Sequence, residues 1–231
     1  CNKQEHFTDV ISKINLHTGL TINLDGVYRW VAFLPSKTDA RIPIANRYFG
    51  VFQSGEIKVR GLEARRRDTP IWIAAVQKQM IALLGQAHTK AELSACIHEA
   101  FCFYYTSLQK LEENQVPVDQ LVINGKVSYA LDAYKASTAS VRAARQMEAA
   151  GMLIKPGMRI RFVYRKGEPD VFAWDLGKPI DPMEVNKPKY IELLAKAGSA
   201  VLAPFGISEA LFREWSENRS IQLKLNQALF E

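Results

Sequence analysis

The chain has 231 residues, 48% hydrophobic and 23% charged, with a net charge of +6. This composition supplies core material for one large or two small soluble domains and excludes a disordered or fibrous chain. Three cysteines give no disulfide framework, no apolar run approaches the roughly 18 residues that span a bilayer, and the basic balance mildly favours a polyanionic partner.

In chain order, FTDVISKINLHTG predicts a helix, with Phe7, Val10, Ile11 and Ile14 on one stripe and Gly19 to end it. LTINLDGVYRWVAFLP predicts strand, bend, strand, with the bend at Asp25-Gly26. Arg47 to Phe52, a turn at Ser54-Gly55 and Glu56 to Arg60 continue the pattern, so residues 20–62 read as mostly antiparallel sheet. The character changes at residue 68. Thr69 is a suitable N-cap and Pro70 a suitable first helical residue, with Trp72, Val76, Met80 and Leu83 down one face. Thr89 to Glu92 fits a capping box for a long helix ending near Glu113. LVINGKVS predicts a short strand, VRAARQMEAAG a helix closed by Gly151, and KPGMRIRFVYRKG a turn and a strand. KPKYIELLAKAGSAVLAPFG predicts a late helix, and SEALFREWS a last one capped by Ser208. The fold class is α+β: antiparallel sheet over residues 1–68, then a mainly helical region over 69–231.

The densest charge lies in KVRGLEARRRDTP, Lys58 to Pro70. Residues 40–67 hold Arg41, Arg47, Lys58, Arg60, Arg65, Arg66 and Arg67 against Glu56 and Glu63, a local charge of +5. Lys58 and Arg60 are two apart on a strand and share a face. The three consecutive arginines precede a helix N-terminus, itself partly positive, so an anion is the natural missing partner. The same charges also read as a solvated basic turn balanced by Glu63 and Asp68. Residue types alone leave the two readings even.

This segment resembles the end of the palm and the start of the thumb in family B DNA polymerases. The family carries a Lys-x-Arg-Gly strand followed by Arg-Arg-Asp and a helix; here these are Lys58-Val59-Arg60-Gly61 and Arg66-Arg67-Asp68. LDGVYRWVAFLP is similar to the acidic-Gly-x-Tyr palm strand, and ANRYFGVF stands where the family has Lys-Lys-Arg-Tyr. VSYALDAYKASTASVRAARQMEAAG, KPGMRIRFVY and PKYIELLAKAGSAVLAPFG resemble successive thumb segments. The resemblance covers nearly the whole chain.

The resemblance implies a grip on primer–template duplex behind the active site, through phosphates and the minor groove. It implies DNA contacts by Lys58, Arg60, Arg66 and Arg67, by Arg47 and Tyr48, and in the thumb by Tyr134 and Lys135. Ser137, Ser140, Arg142 and Arg145 lie close by and could line the backbone. Ala45 and Asn46 replace the family's two lysines, and Asn46 can still hydrogen-bond a base edge. Asp25 aligns with a palm carboxylate near the family's metals, and reads equally as a plain turn aspartate. The Asp-Thr-Asp motif that holds Mg2+ in a complete polymerase does not occur, nor do fingers or exonuclease segments. The chain, which starts with Cys, is therefore expected to be the C-terminal part of a split or truncated polymerase. It would be inactive alone and would require an N-terminal polymerase fragment. The expected location is cytoplasmic, at the nucleoid, with no membrane partner. A stand-alone DNA-binding or subunit-assembly module is the alternative.

Cys96 and His98 point about 200° apart on a helical period and cannot share a metal; with Cys102 they read as helix-packing residues. The tail SIQLKLNQALFE carries Gln222 to Leu225 and Gln227 to Phe230, each similar to part of a sliding-clamp peptide; docking on the protein itself is the default reading.

Overall fold

Two three-stranded antiparallel sheets, joined by helices, organise the chain. The computed structural model describes residues 3–36, 38–39 and 41–217. The tail segment Gln222 to Phe230, with its two clamp-like motifs, lies outside the described residues.

Helix α1 (Lys3–Thr18) precedes the first sheet, in which β1 (Tyr28–Pro35), β2 (Pro43–Phe52) and β3 (Ile57–Arg60) run in that order. The first strand expected in LTINL does not form. Alternation there mimics a strand, but Asn15 takes up its backbone instead. The Asn15 amide donates to Ile22 O at 3.2 Å and accepts from Ile22 N at 2.8 Å, so the segment is held back on α1 rather than in a sheet. The β2–β3 hairpin turns at Ser54-Gly55 as expected, with Gly55 N donating to Phe52 O at 2.9 Å.

Helix α2 (Ile71–Leu84) begins one residue later than the sequence predicts. Pro70 is still extended (φ −52°, ψ 140°), and no side chain caps the helix. Helix α3 (Lys90–Glu112) has the expected cap: Thr89 Oγ1 accepts from Glu92 N at 3.2 Å. The Glu92 carboxylate reaches one residue further back than in a standard capping box, to His88 N. The second sheet has the order β4 (Ile123–Lys126), β5 (Arg159–Tyr164), β6 (Val171–Ala173). Strand β6 has no signal of its own, since three residues are too few for alternation. It is fixed by α4 (Ala139–Ala149), whose Gln146 side chain donates to Val171 O and accepts from Ala173 N. Helices α5 (Lys187–Leu202) and α6 (Glu209–Glu217) complete the chain.

The hydrophobic core runs without a break across residue 68. Ala32, Leu34, Phe49 and Leu62 from the first sheet region join Ile73, Met80 and Ile81 of α2, Ala100 and Tyr104 of α3 and Leu194 of α5. A buried polar knot lies along the same seam. The Gln77 carboxamide accepts from Ala64 N at 2.6 Å and donates to Ala197 O at 2.7 Å and Glu63 Oε2 at 3.0 Å. All its partners are hydrogen-bonded, which is what makes a fully buried glutamine tolerable there.

Candidate nucleic-acid interface

The first sheet presents one face to the core and one outward. On β1, Ala32 and Leu34 are buried while Val31 and Phe33 are exposed. The register sets Tyr48 opposite both Phe33 and Arg60, and Gly50 opposite both Val31 and Lys58. Cross-strand partners share a face, and residues two apart on a strand share it too. Asn46, Tyr48, Lys58 and Arg60, four of the residues expected to touch DNA, therefore stand together on the outer face. Phe33 and Tyr28 stand among them, with ring centroids 5.3 and 6.4 Å from Tyr48.

Arg47 does not join them. It faces the other way, where its Nε donates to Gly61 O at 3.1 Å and its guanidinium lies 3.6 Å from the Glu63 carboxylate. Gly61 permits this closure. Its φ is +70°, and a Cβ there would stand 2.2 Å from Asn46 O. The glycine of the Lys-x-Arg-Gly stretch is thus required by the approach of β2.

The acids near the basic stretch pair with only some of its cations. Glu63 is buried and serves Gln77 and Arg47. Asp68 accepts two hydrogen bonds from Arg66, at 2.9 and 2.6 Å. These bonds hold the Asp68 carboxyl below the usual carboxylate range and raise Arg66. Lys58 is paired with Asp25 at 2.5 Å. Arg60, Arg65 and Arg67 are exposed and have no side-chain partner among the described residues. Magnesium takes about six oxygen ligands, several from carboxylates or phosphates. Asp25 offers one carboxylate, already engaged by Lys58, and no cluster of three or more potential ligands occurs among the described residues. The described residues do not by themselves form a metal centre.

A second basic surface lies across the residue-68 junction. A cleft of about 590 Å3 is lined by Arg67 and Asp68 on one side and by Asn124, Lys126, Ser140 and Arg159 on the other. Lys126 and Arg159 are cross-strand partners on β4 and β5, both exposed and without a side-chain partner among the described residues. Sequence reasoning passed over both. Each sits in a strand whose pairing register, not its composition, brings the charges together.

Of the expected thumb residues, Lys135 and Arg145 are exposed, while two are held in internal bonds. Arg142 grips Asp170 through two bonds of 2.7 Å and also donates to Ser137 O, tying α4 to the turn that leads into β6. The Tyr134 hydroxyl accepts from Ser128 N at 2.5 Å and Tyr129 N at 3.2 Å, which folds the loop after β4. Cys96 is buried, and the Cys102 thiol lies 3.5 Å from His98 Nε2; burial pushes both thiols up, as befits packing groups. No described helix is long and apolar enough to cross a membrane.

Comparison with known proteins matches residues 3–200 to the model of DNA polymerase family B. DNA polymerase 1 of Saccharolobus solfataricus is 26% identical over 201 residues, covering 87% of this chain and 22% of the relative. DNA polymerase 2 of Aeropyrum pernix is 28% identical over 212 residues, covering 90% of this chain and 24% of the relative. The structure of the family B DNA polymerase from Pyrobaculum calidifontis superposes on 85% of this chain and 24% of its own, with a TM-score of 0.57 and 19% identity. The chain spans about a quarter or less of the length of these relatives.

Proposed function

The chain belongs to DNA polymerase family B, and on that premise we propose that it supplies the palm end and thumb of such an enzyme and grips primer–template duplex. The palm end is residues 1–68 and the thumb 69–231. The observation that carries this reading is the outer face of the first sheet. Asn46, Tyr48, Lys58 and Arg60 share that face, and Arg65 and Arg67 follow in the chain, exposed and without an acidic partner among the described residues. Neutral donors flanked by free cations suit a duplex: the cations take phosphates at any sequence, and the donors take groove edges. Arg67, Lys126 and Arg159 around the cleft extend the phosphate path into the thumb. Catalysis belongs to the rest of the polymerase, which supplies the carboxylates for Mg2+.

Helix α1 supports the same reading. Phe7, Val10 and Ile14 form its apolar stripe, yet all three are exposed and none joins the core. Leu20, Ile22 and Leu24 extend that surface. An apolar patch of this extent marks an interface, and the N-terminal part of a polymerase is the partner that fits.

The experiment is equilibrium binding of the chain to two primer–template duplexes of unrelated sequence across a salt series. Equal affinities that fall together with salt support the reading. A preference for one sequence, or an affinity indifferent to salt, contradicts it.

A further inference from the structure

Strand β4 is an edge of the second sheet, and the cleft across the residue-68 junction lies along it. Val127 N, just past β4, donates to Met158 O at 3.0 Å. Arg161 N, opposite Asn124, turns away from β4 and donates to the Asp175 carboxylate at 2.9 Å. Residues of an antiparallel strand bond to one neighbour alternately. Ile123 and Gly125 therefore bond to β5, while Asn124 and Lys126 point their N–H and C=O groups out of the sheet edge toward the cleft. The Asn124 carboxamide also lines the cleft and makes no hydrogen bond among the described residues. Gly125 lets α4 close one wall, since a Cβ there would stand 2.5 Å from Ser140 Cβ.

The two ends of the cleft differ in character. Lys126 and Arg159 stand at one end, and Arg67 lines the wall across from them. At the other end the floor is apolar, built by Ile123, Phe162, Tyr164 and Leu193. Ile123 and Phe162 are cross-strand partners and share the inner face of the sheet with Tyr164, two residues on. Ile123 and Lys126 are three residues apart, about 10 Å along a strand. A phosphate by itself needs only the cationic end. A cleft of about 590 Å3 that joins cations to an apolar floor suits an anion with a flat apolar body.

We propose that this cleft binds a single unpaired nucleotide. Its phosphate rests on Lys126 and Arg159, and its base lies against Phe162, Tyr164 and Leu193. The base edge meets the free N–H and C=O groups of Asn124 and Lys126, which offer a donor and an acceptor side by side. A paired base is held in its stack and does not enter, so a perfect duplex reaches only the cationic rim. The ligand is defined by one phosphate and one unstacked base, whether it is a free nucleotide or a bulged residue of a bound strand. For the strand residue, the proposal rests on the duplex-binding reading above.

The test has two arms, both read by NMR on the isotope-labelled chain at the Lys126 amide and the Leu193 methyls. In the first, deoxyadenosine monophosphate and inorganic phosphate are titrated separately. The nucleotide should shift both sites, and phosphate should shift Lys126 alone. In the second, the chain binds a perfect duplex, the same duplex with one bulged nucleotide, and the same bulge made abasic. The bulged duplex should bind about tenfold more tightly than the perfect one, the scale of one stacked base, and the abasic bulge should lose that gain. Leu193→Trp, which fills the floor, should abolish every base-dependent response. The proposal stands if either arm depends on the base and Leu193→Trp removes that dependence; the responding arm identifies the source. It is overturned if neither arm depends on the base, or if a folded Leu193→Trp variant keeps the dependence. If that variant does not fold, the Leu193 shift in the wild-type chain decides in its place. A nucleotide that binds beside a perfect duplex that does not overturns the duplex-binding reading and leaves the cleft standing.

Discussion

Arg47 and Arg60 stand on opposite faces of one sheet: Arg47 is closed inward on Gly61 O at 3.1 Å, while Arg60, the cross-strand partner of Tyr48, is exposed. Basic residues on neighbouring strands thus have different work, and their variants separate it. Arg60→Ala should leave the melting temperature within about 1 °C and lower the salt slope of duplex binding by about 0.9, the value of one phosphate contact. Arg47→Ala should leave the slope alone and destabilise the fold by about 1–3 kcal/mol, since the Gly61 carbonyl and the buried Glu63 lose a charged donor. Chemical denaturation and salt-dependent titration of both variants check this pair of outcomes.

Gln77 is the polar hinge of the core, and its loss should be severe. Gln77→Leu conserves volume but leaves Ala64 N, Ala197 O and the Glu63 carboxylate with fewer partners in a dry site. We expect a loss of about 3 kcal/mol or more, from several unsatisfied buried groups at once. An unchanged denaturation midpoint would show that water reaches these groups.

Asp68 competes with DNA for Arg66. Asp68→Asn should free that guanidinium and raise the salt slope by about 0.9, with tighter duplex binding. The pair itself adds only a few tenths of a kcal/mol to stability, because both side chains are about half exposed. Its pH dependence has a definite sign. The folded Asp68 pKa is lowered, so the contribution is present above the unfolded value of about 4 and is lost as pH falls through the folded value. Melting temperatures of wild type and Asp68→Asn should therefore converge in acid and differ slightly at neutral pH.

The cleft between the junction and the second sheet makes a separate prediction. Lys126→Gln and Arg159→Gln should each reduce the salt slope by about 0.9, with no change in fold. If both variants bind as wild type does, duplex is confined to the first sheet.

Much of the architecture was legible in the sequence because it is written in periodicity. The stripe from Leu93 to Leu111, the Thr89 cap and the Ser54-Gly55 turn all predict what forms. The misread stretch, Leu20 to Leu24, failed because a single side chain, Asn15, supplied the hydrogen bonds that a strand neighbour would have supplied. The composition of the basic stretch was legible, but the commitments of its charges were not. That Glu63 is buried, and that Arg142 and Tyr134 are tied to their own chain, depends on partners 14, 28 and 6 residues away. Lys126 and Arg159 carried no signal for the same reason: their significance lies in strand register.

The central claim is that unneutralised arginines at the sheet–helix junction hold the phosphates of a duplex. The most direct measurement is the salt dependence of duplex binding by the triple variant Arg60→Ala, Arg65→Ala, Arg67→Ala. The account predicts a slope lower by about 2.7, three contacts at about 0.9 each, with an unaltered melt. A triple variant that keeps the wild-type affinity and slope would contradict it.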